Sequence, residues 1–349
     1  MDRYINPEPS IQVMNAEPVM DRMARAAVRG TGSCVPSRVV PNDEFTETLD
    51  TSDEWIRSRT GIRERRFAGV ADTSATLGTE AARRALDAAG VTPVKVDLIV
   101  CATITPDLMC PSAACLIQSA LGCRQIPAFD VSAACSGFVY ALSVGEQFIR
   151  TGSARTVLVV GAEVLSRAID FSDRNNCILF GDGAGAVVLG PAADRGVGIH
   201  NIRLFSDGAR QELIQVPSMV TPNPPPGAGT LPQLRYLRMH GREVFKFAVY
   251  QLIELIEEAQ RDCVELGKEL SMLIPHQANL RIIDAATEAL GLAPDRVMIN
   301  IDKYGNTSAA SVPLALDEAV RAGRAKPGDT VLLVAFGGGL TWSSALLTL

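Results

Sequence analysis

Two apolar runs of strand length carry almost the same pattern, Thr156-Val-Leu-Val-Val-Gly-Ala162 and Thr330-Val-Leu-Leu-Val-Ala-Phe336. Each follows an earlier run of the same kind, Asp97-Leu-Ile-Val-Cys-Ala-Thr103 and Ser271-Met-Leu-Ile-Pro-His-Gln277. The step from earlier to later run is the same, 59 residues (97 to 156 and 271 to 330). Apolar runs without polar alternation predict strands buried on both faces. Between the runs, helices are predicted over 135–151 and 308–322, stopped by Gly152 and Gly323. A further helix is predicted ahead of each earlier run, 74–89 with Gly90 as its stop, and 240–263.

One matching pair of valine-rich strands arises easily by chance, but matching order and spacing over four elements indicate duplication. The expectation is an α/β protein of two pseudo-symmetric halves, 25–195 and 196–349, joined near 190–198. A chain of 349 residues suits that division. Residues 1–24 read as a loose extension: Asp2, Arg3, Glu8, Glu17, Asp21 and Arg22 interrupt any signal-peptide core. The stretch 216–232, with Pro222, Pro224, Pro225 and Pro226, reads as a loop of the second half. No run is long enough for a membrane-spanning helix. The net charge of −6 gives no reason to expect nucleic acid. The eight cysteines lack paired zinc-site spacing, and without an export signal they are expected to be free thiols of a cytoplasmic protein.

Against that background three residues stand out. Cys135 lies in Asp130-Val-Ser-Ala-Ala-Cys-Ser-Gly-Phe138, where a strand-like approach meets small residues and then a helix. A thiol at a helix N-terminus faces unpaired N–H groups, which lower its pKa. A packed core cysteine is the equal alternative on the residues alone. His276, one of three histidines, ends an apolar strand behind Pro275, a setting that fits catalytic and structural roles equally. Asn306, in Gly305-Asn-Thr-Ser308, is a turn residue by default. The duplication changes its standing, because Asn306 adjoins the helix that mirrors the one opened by Cys135. Pseudo-twofold symmetry would bring both helix starts, and the strand end bearing His276, to one centre. Of the glycine clusters, Gly181-Asp-Gly-Ala-Gly185 lacks a phosphate-loop ending and reads as a close backbone approach. Gly337-Gly-Gly339 leaves N–H groups free to face a substrate oxygen.

The motifs Ala134-Cys-Ser-Gly-Phe138, Pro275-His-Gln-Ala-Asn-Leu-Arg281, Gly305-Asn-Thr-Ser-Ala-Ala-Ser-Val-Pro313 and Ala335-Phe-Gly-Gly-Gly-Leu-Thr-Trp342 resemble those of β-ketoacyl-acyl-carrier-protein synthase III. So do Asp53-Glu-Trp-Ile56 and Arg59-Thr-Gly-Ile-Arg-Glu-Arg65. The resemblance spans roughly 25–349. It implies a thiolase-like, duplicated αβαβα five-layer fold and a homodimer. Thiolases differ by a second cysteine beyond the last glycines, where this chain has Leu340 and Thr341. Elongating synthases have a second histidine where this chain has Asn306, and plant-type polyketide synthases end in a different glycine motif.

The resemblance further implies that Cys135 takes an acyl group from an acyl-CoA thioester. Malonyl-acyl carrier protein is then decarboxylated and condensed, with His276 and Asn306 stabilising the enolate. Backbone N–H groups of Cys135 and Gly338 would hold the oxyanion. CoA is a substrate here; no tightly bound cofactor and no metal are expected. By the same comparison Trp55, Arg59, Arg174 and Asn279 contact CoA, and Arg242, Lys246 and Arg281 dock the acidic carrier protein. Cys110 replaces a larger residue of many relatives at the acyl pocket, which implies room for a longer or branched starter.

Overall fold

Strands whose two faces are both apolar must be covered twice, and the chain meets this demand by stacking. The computed structural model describes residues 25–216 and 236–349; the expected extension at 1–24 and all but the first residue of the 216–232 loop lie outside them. The first sheet comprises β1 (Ala26–Cys34), β2 (Leu98–Ala102), β3 (Ala128–Val131), β4 (Val157–Glu163) and β5 (Gly183–Pro191), in the order β1-β5-β4-β2-β3. The second comprises β6 (Gly198–Ser206), β7 (Leu270–Pro275), β8 (Thr330–Gly337) and β9 (Thr341–Thr348), in the order β7-β8-β9-β6. The strands at 97–103, 156–162, 271–277 and 330–336 are all where their pattern predicts them.

Helices fill three layers around these sheets. α1 (Asp53–Thr60) packs through Ile56 with Ile178, Leu179 and Ile301, and α2 (Ser74–Ala89) and α3 (Ala113–Leu121) cover the outer face of the first sheet. α4 (Gly137–Arg150) and α7 (Ser311–Arg321) lie between the sheets; α5 (Gly241–Glu265) and α6 (Leu280–Ala289) cover the outer face of the second. Alternate residues of one strand serve different cores. Leu98, Val100 and Ala102 join the central cluster with Phe138, Leu142, Val312 and Leu316, whereas Ile99 and Cys101 face α2 and α3. This gives the five layers αβαβα.

The duplication survives at the level of register. Leu98 pairs with Val157 and Met272 with Val331, so equivalent residues of the two pairs stand 174 positions apart (98 to 272, 157 to 331). Among the described residues the second half has no full counterpart of β3; a single parallel bridge between Leu273 and Val297 takes its place. β3 is therefore an edge strand with only partly buried residues, paired on one side by β2.

The glycine cluster at 181–185 does what close packing predicts. A Cβ on Gly181 would lie 2.1 Å from the Tyr304 carbonyl oxygen, so this approach of the two halves requires glycine.

Candidate active site

Cys135 lies on a short 3₁₀ turn, Ala134–Ser136, that hands over to α4. Its pseudo-symmetric partner is the 3₁₀ turn Ser308–Ala310 ahead of α7. The preceding backbone is unusual in both: Ala134 has φ 47° and Ser308 φ 49°, and these two residues are again 174 apart. Positive φ in residues with a Cβ is strained and is retained where surrounding structure over-determines it. Gly337 closes the cysteine turn from the other side, since a Cβ there would sit 2.6 Å from the Cys135 nitrogen. The Thr341 hydroxyl lies 3.1 Å from the carbonyls of both Ala133 and Gly338, tying the turn to the glycine loop.

Cys135, His276 and Asn306, the three residues singled out from sequence, line one cavity of about 730 Å³. His276 leaves the end of β7 with its backbone N–H bonded to the Val334 carbonyl at 2.7 Å. Its ring meets Phe336 edge-on at 5.4 Å, and its buried Nδ1 has no hydrogen-bond partner among the described residues. Burial pushes the imidazole down to about 3, so the ring is neutral at pH 7. Asn306 is held by its own backbone, N–H to the Leu179 carbonyl at 2.8 Å and carbonyl to the Gly181 N–H at 3.0 Å. Its Oδ1 accepts the Ser308 N–H at 2.8 Å, which leaves the Nδ2 amide as the donor.

The expected low thiol pKa is corrected. Burial pushes Cys135 up to about 12; a Ser308 hydrogen bond opposes this and the charge of Glu163 adds to it. The α-helix starts at Gly137, two residues later than predicted, and desolvation outweighs what its dipole offers.

Trp55, Arg59 and Asn279 line the same cavity. The Arg59 and Arg174 guanidiniums lie over the Trp55 ring, 4.7 and 5.0 Å from its centroid. Arg174 does not line the cavity itself; its Nη1 donates to the Asp50 carbonyl at 2.5 Å, while its neighbours Asn175 and Asn176 form part of the wall. Asn279 caps α6 through Oδ1 and donates from Nδ2 to the Arg59 carbonyl at 3.1 Å. Arg242, Lys246 and Arg281 are exposed at the same cavity, with Arg281 5.8 Å from the Phe245 ring centroid.

Cys110 is not brought to this cavity. It is exposed with Leu108 and Met109 on the loop between β2 and α3, and Ile178, Phe180, Met239, Val244, Phe245 and Ile282 supply the apolar wall instead. A large pocket residue and a loop-tip residue look alike when only the local sequence is read. Among the described residues no group of three His, Cys, Asp or Glu is placed to hold a metal ion. Glu163 and Ser308, both buried beside Cys135, escaped the sequence reading; the signal was a lone carboxylate ending an otherwise uncharged strand.

A duplicated five-layer fold with a cysteine turn facing a deep cavity defines a thiolase-like condensing enzyme. Residues 129–208 match the family described as 3-oxoacyl-[acyl-carrier-protein (ACP)] synthase III, and residues 266–349 its C-terminal part. A β-ketoacyl-[acyl-carrier-protein] synthase III of Xylella fastidiosa is 52% identical over 329 residues, 94% of this chain and 99% of that protein. The solved 3-oxoacyl-[acyl-carrier-protein] synthase III of Aquifex aeolicus superposes with a TM-score of 0.84 at 45% identity, covering 93% of this chain and all of that one. The Thermus thermophilus counterpart gives 0.85 at 44%, over 93% of this chain and 99% of that one. The chain belongs to the 3-oxoacyl-[acyl-carrier-protein] synthase III family.

Proposed function

We propose that this protein starts fatty acid biosynthesis by condensing an acyl-CoA with malonyl-acyl carrier protein through an acyl-Cys135 intermediate. The observation that carries the roles is the meeting of Cys135, a neutral His276 and the Asn306 amide in one cavity. Cys135 attacks the thioester and CoA leaves. The oxyanion is met by the N–H groups of Cys135 and Gly338, donors of a kind worth about 2.7–4 kcal/mol each. Malonyl-acyl carrier protein then loses CO2, and the enolate oxygen is stabilised by donors on His276 and Asn306. A neutral imidazole suits that task, because it donates a hydrogen bond without a buried charge to desolvate. The carbanion attacks acyl-Cys135 and releases 3-ketoacyl-acyl carrier protein and the thiol.

Trp55, Arg59, Arg174 and Asn279 hold the CoA end in this reading, since the cation-flanked indole offers a stacking surface at the cavity. Arg242 and Lys246, four apart on α5, and Arg281 receive the acidic carrier protein. The halves 25–195 and 196–349 contribute the cysteine and the His–Asn pair respectively. The protein works in the cytoplasm as a homodimer; the half-covered edge strand β3 supports pairing, as edges of this kind are normally covered. The exposed Cys110 loop adjoins that edge, since the Asp130 carboxylate on β3 accepts the Ala113 and Ala114 N–H groups at 2.8 Å. Cys110 therefore bears on acyl length only across such a pair.

Intact-protein mass spectrometry after mixing with acyl-CoAs from acetyl to dodecanoyl tests the nucleophile, alongside light scattering for the dimer. One acyl mass is expected on the parent and none on Cys135→Ala. An adduct on Cys135→Ala, or a monomer mass, contradicts the corresponding part.

A further inference from the structure

Glu163 ends β4 as the one charged residue of that strand and is fully buried. Its carboxylate accepts from the Ile104 N–H at 3.2 Å and from the hydroxyls of Thr103 at 3.3 Å, Thr105 at 2.5 Å and Ser308 at 3.1 Å. Burial pushes the carboxyl up to about 7 against the pull of those donors. A carboxylate kept in such a place is costly for packing alone. The 174-residue offset that relates β4 to β8 makes Glu163 the counterpart of Gly337, and Ser308 that of Ala134. Each strand end crosses to the turn of the opposite half. Gly337 clears space for the Cys135 turn, where a Cβ would meet the Cys135 nitrogen at 2.6 Å. Glu163 instead fills the Ser308 turn with a side chain and accepts its hydroxyl. Ser308, at φ 49°, gives its N–H to the Asn306 Oδ1 at 2.8 Å.

We propose that Glu163 is a positioning residue for Asn306: by fixing the Ser308 hydroxyl it holds the strained turn whose N–H orients the asparagine amide and leaves Nδ2 free to donate. This rests on the reading of Asn306 as a donor to the enolate. The two ends of that amide act with opposite sign, because Nδ2 donates and Oδ1 only accepts. With Oδ1 engaged by Ser308, the donor is the end left for a substrate oxygen. A flipped amide would set an acceptor against the developing negative charge.

The strained backbone is what makes an anchor necessary. A serine at positive φ relaxes unless its surroundings hold it. Release of its hydroxyl lets the turn relax, swings the N–H away from Oδ1 and frees the amide to rotate. The turn requires an acceptor at residue 163 and not a charge. With the carboxyl near 7, both of its protonation states are populated at neutral pH, and either leaves an oxygen for the Ser308 hydroxyl.

The test compares Glu163→Ala, Glu163→Gln and Ser308→Ala with the parent in three readings. These are acylation of Cys135 by intact mass, release of labelled CO2 from malonyl-acyl carrier protein, and the place of the Asn306 amide in crystal structures. Glu163→Ala and Ser308→Ala should lose about 10–10²-fold in CO2 release, the scale of a misplaced catalytic group, with no comparable loss in acylation. Glu163→Gln keeps an acceptor oxygen and should stay close to the parent in all three. In an Asn306→Ala background, Glu163→Ala should cost nothing further in CO2 release, since residues acting through one group are not additive. Equal losses in acylation and CO2 release overturn the proposal. So does an Asn306 amide unmoved in both alanine variants, or a Glu163→Gln protein as impaired as Glu163→Ala. Melting curves check folding. If Glu163→Ala does not fold, Ser308→Ala decides alone, because alanine is compatible with that backbone, as Ala134 shows at φ 47°. A displaced amide in a protein whose Asn306→Ala variant releases CO2 as fast as the parent would count against Asn306 as the enolate donor and leave the positioning standing.

Discussion

Cys135 and His276 are both held neutral by burial, the thiol pushed up to about 12 and the imidazole down to about 3. Nothing at this site resembles a resting thiolate–imidazolium pair, and in the proposed reaction the two residues divide the chemistry between them. His276→Ala is therefore expected to keep acyl transfer to Cys135 within about tenfold of the parent. It should lose about 10²–10³-fold in decarboxylation of the malonyl thioester, the cost of one donor to a developing oxyanion. Release of labelled CO2 measures the second step, and intact mass the first. Equal loss in both would contradict the division. His276 was readable in the sequence because a lone histidine closes an apolar strand. Glu163 was not, since a carboxylate at a strand end also reads as a boundary residue until Thr103, Thr105 and Ser308 are seen to converge on it.

At the scale of elements, the two helices that lie between the sheets, α4 and α7, each follow a 3₁₀ turn that opens on a residue of positive φ. The strands and helix stops were legible because periodicity and glycine stops are local signals. The 3₁₀ starts were not: the strain at Ala134 and Ser308 is imposed by tertiary neighbours such as Gly337 and Glu163. Gly337→Ala tests that view of the cysteine turn. With the Cys135 nitrogen 2.6 Å from the new Cβ, the turn has to shift. The variant should lose about 1–3 kcal/mol of stability from overpacking. It should also acylate about 10²-fold more slowly, as misplacements near 1 Å commonly do. Thermal unfolding and the rate of adduct formation give the two readings; an unchanged acylation rate would show that the turn tolerates displacement.

Across the whole molecule, the 174-residue offset gives the cavity two sides, Cys135, the proposed nucleophile, from one helix start and His276 and Asn306, the proposed donors, from the other half. The duplication was visible in the sequence as a repeated step of 59 residues, and it explains why distant motifs share a cavity. Where Cys110 belongs was not visible, because local residues do not say which way a loop faces. The central claim joins the two sides: Cys135 carries the acyl group, and the other half drives its transfer to a carbon nucleophile. Its most direct test is a single-turnover chase, in which acyl-Cys135 enzyme freed of acyl-CoA meets malonyl-acyl carrier protein and both proteins are weighed by intact mass over time. The account requires the cysteine adduct to vanish as 3-ketoacyl-acyl carrier protein and CO2 appear in equal amount. An adduct that persists, or that moves to the carrier protein as a plain acyl group without loss of CO2, would contradict it.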